Sequence, residues 1–200
     1  MVVALIYSVG VANYEREKQE GAITESLPIV ETDGDSDESE VEDNKNNAGT
    51  STESIPDYSD CNVPSNNTIK SYMDYRCITA KNSRQYKLQH SLAYTGDYGL
   101  RMVGERYCIA VGSYYTTTIG QYIDVELENG NVIYGILADC KADKHTDPTN
   151  RINPNGSVVE FVVDTKALDK TAKIMGDISY VNGWDSKVVN IKVYDTVEEF

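Results

Sequence analysis

Asn129-Gly130 lies between two runs of alternating side chains, and that pairing constrains the fold more than any other feature of the chain. Before it, Tyr122, Asp124 and Glu126 alternate with Ile123, Val125 and Leu127; after it, Val132 to Ala138 continues the apolar pattern. An Asn-Gly pair supplies the left-handed backbone of a two-residue hairpin turn, so these runs predict an antiparallel pair with one buried face. Further strands are predicted at Tyr107–Val111, ended by Gly112, at Val158–Val163 and at Val188–Tyr194. Between the hairpin and Val158, Asp139 to Ser157 reads as a polar excursion with turns at Pro148, Pro154 and Asn155-Gly156. Lys166–Met175 spaces Ala167, Leu168, Ala172 and Met175 near helical period and stops at Gly176, so it predicts a short helix with Asp164 as its N-cap. Gln85–Leu92 fits a short strand or helix, followed by a loop over Thr95–Gly99. Several short strands, one small helix and no repeated βα unit argue for a mainly β domain closed as a barrel.

Charge separates this domain from what precedes it. Of the net −14, twelve units fall in residues 14–65, which hold fifteen acids against three bases, leaving residues 66–200 close to neutral. A nearly neutral domain lacks the basic footprint that displaces counterions, which excludes nucleic acid as a partner. Residues 14–67 hold almost no large apolar side chains and cannot offset the entropy of ordering, so they predict a disordered, self-repelling acidic tether. Met1–Asn13 is apolar but shorter than the ~20 residues of a membrane-spanning helix. With small residues at Gly10-Val11-Ala12, it reads as the remnant of an export or anchor segment, a possible membrane tether, or alternatively as a buried strand. The expected organisation is a remnant over 1–13, a tether over 14–67 and a folded domain over 68–200.

Four cysteines, Cys61, Cys77, Cys108 and Cys140, show no zinc-like spacing. Cys108 and Cys140 fall in or beside predicted strands, where they are either small apolar filler or a disulfide. Asp139, Asp143, His145 and Asp147 form an acidic cluster with one histidine, but Lys141 and Lys144 are interleaved and would repel a cation, so no metal and no cofactor is expected. No GxSxG is present and the only histidines are His90 and His145, which disfavours a serine or cysteine hydrolase.

The order Ala93-Tyr94-Thr95, Ile109-Ala110-Val111, Ile119-Gly120, Leu137-Ala138-Asp139 and Val159-Glu160-Phe161 resembles the three-aspartate (3D) domain family over roughly residues 90–165. The chain departs from that pattern at Gly112, where the first aspartate is expected, at Cys140-Lys141-Ala142, which replaces a glycine-rich turn, and at Glu160, an acid of the other length. The resemblance implies a six-stranded double-psi β-barrel related to that of membrane-bound lytic transglycosylase A. It further implies an extracellular or cell-surface location and, as partner, the glycan strands of peptidoglycan.

Lytic cleavage of such a strand needs one acid, which protonates the leaving oxygen and then, as a base, helps the muramoyl C6 hydroxyl close a 1,6-anhydro ring. That acid must hold its proton near neutral pH, which requires apolar surroundings or a neighbouring carboxylate. Glu160, flanked by Val158, Val159, Phe161 and Val162, is the expected acid and base, with Asp139 as its electrostatic or orienting partner. A solvent-facing strand residue and a turn-forming aspartate are the plainer readings of the same two residues. Tyr114 and Tyr115 are candidates to stack on sugar rings, with Thr95, Lys141, Asp143 and His145 as polar contacts, although tyrosine is also an ordinary strand residue. The expectation is a monomeric peptidoglycan-cleaving domain; the alternative is a non-catalytic module that binds wall glycan or a protein.

Overall fold

A computed structural model describes residues 56–200. The predicted export remnant and the acidic tether up to residue 55 lie outside the described residues. Nine strands make one mixed sheet: β1 (Tyr58–Asn62), β2 (Ile69–Asp74), β3 (Tyr94–Thr95), β4 (Arg101–Val103), β5 (Arg106–Val111), β6 (Gln121–Leu127), β7 (Val132–Cys140), β8 (Ser157–Val163) and β9 (Val188–Val197). Among the described residues, helix is confined to α1 (Arg84–Lys87), which runs on through a π-helical turn over Leu88–Leu92, to α2 (Lys170–Met175), and to single 3-10 turns.

The Asn129-Gly130 hairpin forms, but its turn is longer than two residues: the Leu127 N–H donates to Asn131 O at 2.9 Å, and of the Asn-Gly pair only Gly130 is left-handed. Gly130 takes φ of 87°, its N–H donates to Leu127 O at 2.9 Å, and β6 and β7 pair antiparallel from Glu126–Val132 to Tyr122–Ile136. The five predicted strands are all present, each extended by one to three residues. Of the four others, β3 and β4 are short and β1 is exposed, while β2 begins at Ile69, where aromatic and apolar residues start to recur. β1 moves the start of ordered structure earlier than residue 68. Its side chains are mostly exposed, so the strand reads as polar tether, yet its backbone pairs with β9 from Tyr58–Tyr194 to Asn62–Asn190.

The sheet is not the six-stranded closed barrel expected. Strands run in the order β1-β9-β6-β7-β5-β4-β3, with β8 branching from β5 and β2 pairing parallel to β8. Closure fails at β2: the Lys70 N–H on its far edge donates to the Asp177 carboxylate at 2.9 Å instead of to another strand.

α2 is shorter than predicted because its cap is Asp169, whose Oδ1 accepts from Thr171 N and Ala172 N at 2.8 and 3.0 Å. Asp164, the expected cap, accepts from Arg76 Nη2 at 3.0 Å and from Lys166 N at 3.0 Å, which closes a turn ahead of the helix. Gly176 terminates α2 at φ of 69°, as its position predicted.

The core gathers between β5, β6, β7 and β8, where Ile109, Ile123, Ile133, Ile136, Leu137, Val159, Phe161 and Val162 are fully buried. Each such side chain contributes roughly 1.5–3 kcal/mol. Phe161 stacks on Trp184 at 5.1 Å between centroids, and Tyr107 meets both edge-on. On the outward face, Arg106 lies 4.1 Å over the Tyr122 ring and pairs with Asp124 at 2.8 Å, while Tyr194 Oη donates to the same carboxylate. These tyrosines are strand residues braced by a cation, the plainer of their two readings. All four cysteines are free, and Cys108 and Cys140 cannot pair because β5 and β7 set Cys108 opposite Ile136 and Val111 opposite Cys140.

Candidate functional site

β5 is the hinge of the candidate site because it is the strand that touches both acid-bearing strands. Ala110 stands opposite Asp139 on β7, which runs parallel, and opposite Glu160 on β8, which runs antiparallel. Residues in register across neighbouring strands present side chains to the same face, and strands are spaced about 4.8 Å apart. Asp139, Ala110 and Glu160 thus form a row across three strands, with the smallest side chain in the middle. Without one irregularity the row would not exist: β5 and β7 slip by one residue between Ile109–Leu137 and Ala110–Asp139, whereas β5 and β8 pair without a slip. Bulges of this kind re-aim side chains at strand ends.

The two acids sit in different surroundings. Asp139 is half-buried; it accepts the Cys140 N–H at 2.9 Å, and the Gln85 side chain of α1 stands nearby. Burial pushes its pKa above the ordinary carboxylate value, against the opposing pull of those two polar neighbours. Glu160 is also half-buried, but its neighbours are a hydroxyl and a cation: Ser71 Oγ lies 3.4 Å from Oε1, and the Lys141 ammonium is near enough for the pair to attract. A proton donor is helped by desolvation and hindered by a nearby cation. Asp139 thus stands in the more desolvated surroundings of the two, and Glu160 beside a hydroxyl and a buried amine.

Lys141 is not a surface contact. It is 5 % exposed, with Nζ donating to Ser157 O at 2.7 Å and lying 3.2 Å from Ser157 Oγ. Burial lowers its pKa to about 8, with Glu160 resisting the shift. Tyr115 is likewise withdrawn from any sugar-facing role: at 7 % exposure it belongs to the core, and its hydroxyl has no partner. Tyr114 remains exposed, with the Arg151 guanidinium 4.4 Å from its ring centroid. Thr95 is half-buried and its hydroxyl accepts from Arg101 Nη1 at 2.9 Å, so it is committed to holding β3 on β4. Asp143 and His145 are exposed on a 3-10 turn, and Asp143 accepts from Ser113 Oγ at 2.7 Å. Among the described residues no group of three or more His, Cys, Asp or Glu side chains is placed to hold a metal ion.

Gly112 leaves no room for a side chain at the end of β5. A Cβ at this position would lie 1.9 Å from Asn150 O, because the loop after β7 folds back over the end of β5. Tyr114 N–H donates to that same carbonyl at 3.4 Å.

Sequence reasoning missed Gln85, Ser71 and Ser157, which belong to the site only through tertiary contact. A separate hollow of about 300 Å³ is lined by Thr68, Asp177, Ser179, Tyr180, Asp185, Ser186 and Lys187, and contains neither acid of the row. Comparisons with protein families, with curated proteins and with solved structures find no match to this chain.

Proposed function

We propose that this chain is an exported, cell-wall-acting domain that cleaves peptidoglycan glycan strands as a lytic transglycosylase does, with Asp139 as the single acid and base. The observation that carries the reading is the row Asp139–Ala110–Glu160, in which a desolvated carboxyl with a raised pKa and a second carboxyl flank a methyl group. Asp139 would donate its proton to the glycosidic oxygen and take one back from the muramoyl C6 hydroxyl, so that no water enters the product. Glu160 would stabilise the positive charge that develops on the sugar ring. Gln85 would orient the Asp139 carboxyl, and exposed Tyr114 would offer a face to a neighbouring sugar. The resemblance to three-aspartate domains supports the same substrate and a place outside the cytoplasmic membrane.

Closure of the Gly112 position favours a second reading, a module that binds wall glycan without cutting it. Incubation with purified sacculi separates the two. Release of 1,6-anhydro-muropeptides supports cleavage, whereas co-sedimentation without such products supports binding alone.

A further inference from the structure

Ser71, Ser157 and Lys141 come from three strands and meet in a continuous chain. Ser71 Oγ on β2 lies 2.7 Å from Ser157 Oγ on β8, and Ser157 Oγ lies 3.2 Å from Lys141 Nζ at the end of β7. Exposure falls along the chain: Ser71 is half-buried and reachable, whereas Ser157 and Lys141 are 0 % and 5 % exposed. Among the described residues no carboxylate lies within ion-pair distance of Lys141, so an ammonium there is held out of water mainly by carbonyl and hydroxyl partners. A lysine so placed is costly to keep charged and well placed to serve as a neutral base.

We propose that Ser71 is an acyl-accepting nucleophile activated through Ser157 by Lys141, giving the chain a second activity towards esters or amides that is independent of glycan cleavage. Ser71 Oγ forms a bond to the acyl carbon while its proton passes to Ser157 Oγ. The Ser157 proton, which at rest is donated to Val159 O at 2.8 Å, passes to the lone pair of Lys141 Nζ. The acyl carbon then loses its alkoxide or amine, which leaves with the proton from Lys141, and water repeats the sequence to free the acid and restore Ser71. The Ser71 N–H donates to Ser157 Oγ at 3.2 Å and fixes the spacing of the two hydroxyls. The groups that face Lys141 are Ser157 and Glu160 from β8 and Ser71 from β2, with Asp139 two residues away on its own strand. Of these, Glu160 maintains the protonated form and burial opposes it, with a balance point at about 8.

The test is covalent labelling of the full chain with a fluorophosphonate, read by intact mass and peptide mapping, with no sugar present. One adduct at Ser71 is expected, formed at a rate that rises through an apparent pKa of about 8. The rate should fall ~100-fold or more in Lys141→Met, the contribution typical of a positioned base. Ser157→Ala, which cuts the chain by a single hydroxyl, should show a comparable loss and serves if Lys141→Met does not fold. No adduct at pH 9, an adduct on any other residue, or undiminished labelling in Ser157→Ala would overturn the proposal. Sacculus cleavage is a separate readout, so failure of either activity leaves the other standing.

Discussion

Asp139 and Glu160 are register partners of one residue, Ala110, and approach it from opposite sides of β5. Twenty-one positions apart in sequence, they share a row because one slip in the β5–β7 pairing brings Asp139 into line with the regularly paired Glu160. The row gives two acids of unlike surroundings, and the chemistry proposed depends on that difference.

The buried lysines predict an unusual dependence of stability on pH. Burial lowers Lys141 and Lys70 to about 8, below the ~10.4 of a free lysine, so between those values the unfolded chain binds more protons than the folded one. The lysines alone would make stability rise with pH from about 8 towards 10, but the buried thiols Cys108 and Cys140, pushed up to about 12 and about 11, oppose that rise over the same range. Above 10 stability falls, because Tyr107, Tyr115, Tyr122 and Tyr194 all hold their protons more tightly in the fold than in the open chain. Urea titrations at pH 7, 8, 9 and 10 on a Cys108→Ala, Cys140→Ala background should show the rise, and adding Lys141→Met should remove part of it, worth on the order of 2–3 kcal/mol. In that background, a midpoint that declines steadily from pH 7 to 9 would contradict the burial of both lysines.

Asp139 contributes in the opposite sense at low pH. Its folded-state pKa is raised, so ionising it weakens the fold as pH climbs from the ordinary carboxylate value to the raised one. Asp139→Asn keeps the shape and removes the charge. It should raise Tm at pH 7 by up to about 4 °C, the shift expected for roughly 1 kcal/mol in a chain of this size. A lower Tm in the variant would mean that the carboxylate is supported in the fold instead of strained by it.

Restoring the first aspartate of the resembled pattern should harm this chain. Gly112→Asp drives a Cβ to 1.9 Å from Asn150 O, and that backbone oxygen cannot turn aside as a flexible side chain would. A loss of about 3 kcal/mol or more is expected, seen as a fall in Tm of roughly 6–12 °C. An unchanged Tm would show that the loop around Asn150 is free to lift, and that the site can open towards a third acid.

Much of the sheet was legible because its central strands advertise themselves. The Asn129-Gly130 turn, the alternation of Tyr122–Leu127 and the apolar run Val158–Val163 each state local structure without outside help. β1 was not legible, since an exposed edge strand is stabilised by backbone pairing and its side chains, Tyr58 to Asn62, look like loop. The helix over Arg84–Leu92 was ambiguous for a related reason: its buried face is little more than Leu88 and Gln89. Asp139 and Glu160 could be chosen from their flanking residues, but their roles could not. Roles depend on Lys141, which sequence places in a polar loop and the structure turns inward onto Ser157. Asp164 and Asp169 make the same point for capping, because the choice of cap was decided by Arg76, far away in the chain, which engages Asp164.

The central claim, that Asp139 carries the proton in glycan cleavage, is tested most directly by 1,6-anhydro-muropeptide release from purified sacculi, comparing the unmodified chain with Asp139→Asn. Product from the unmodified chain and a fall of 10²-fold or more in the variant, with the fold intact by circular dichroism, is the expected result. Equal product from both, or none from the unmodified chain, would contradict it.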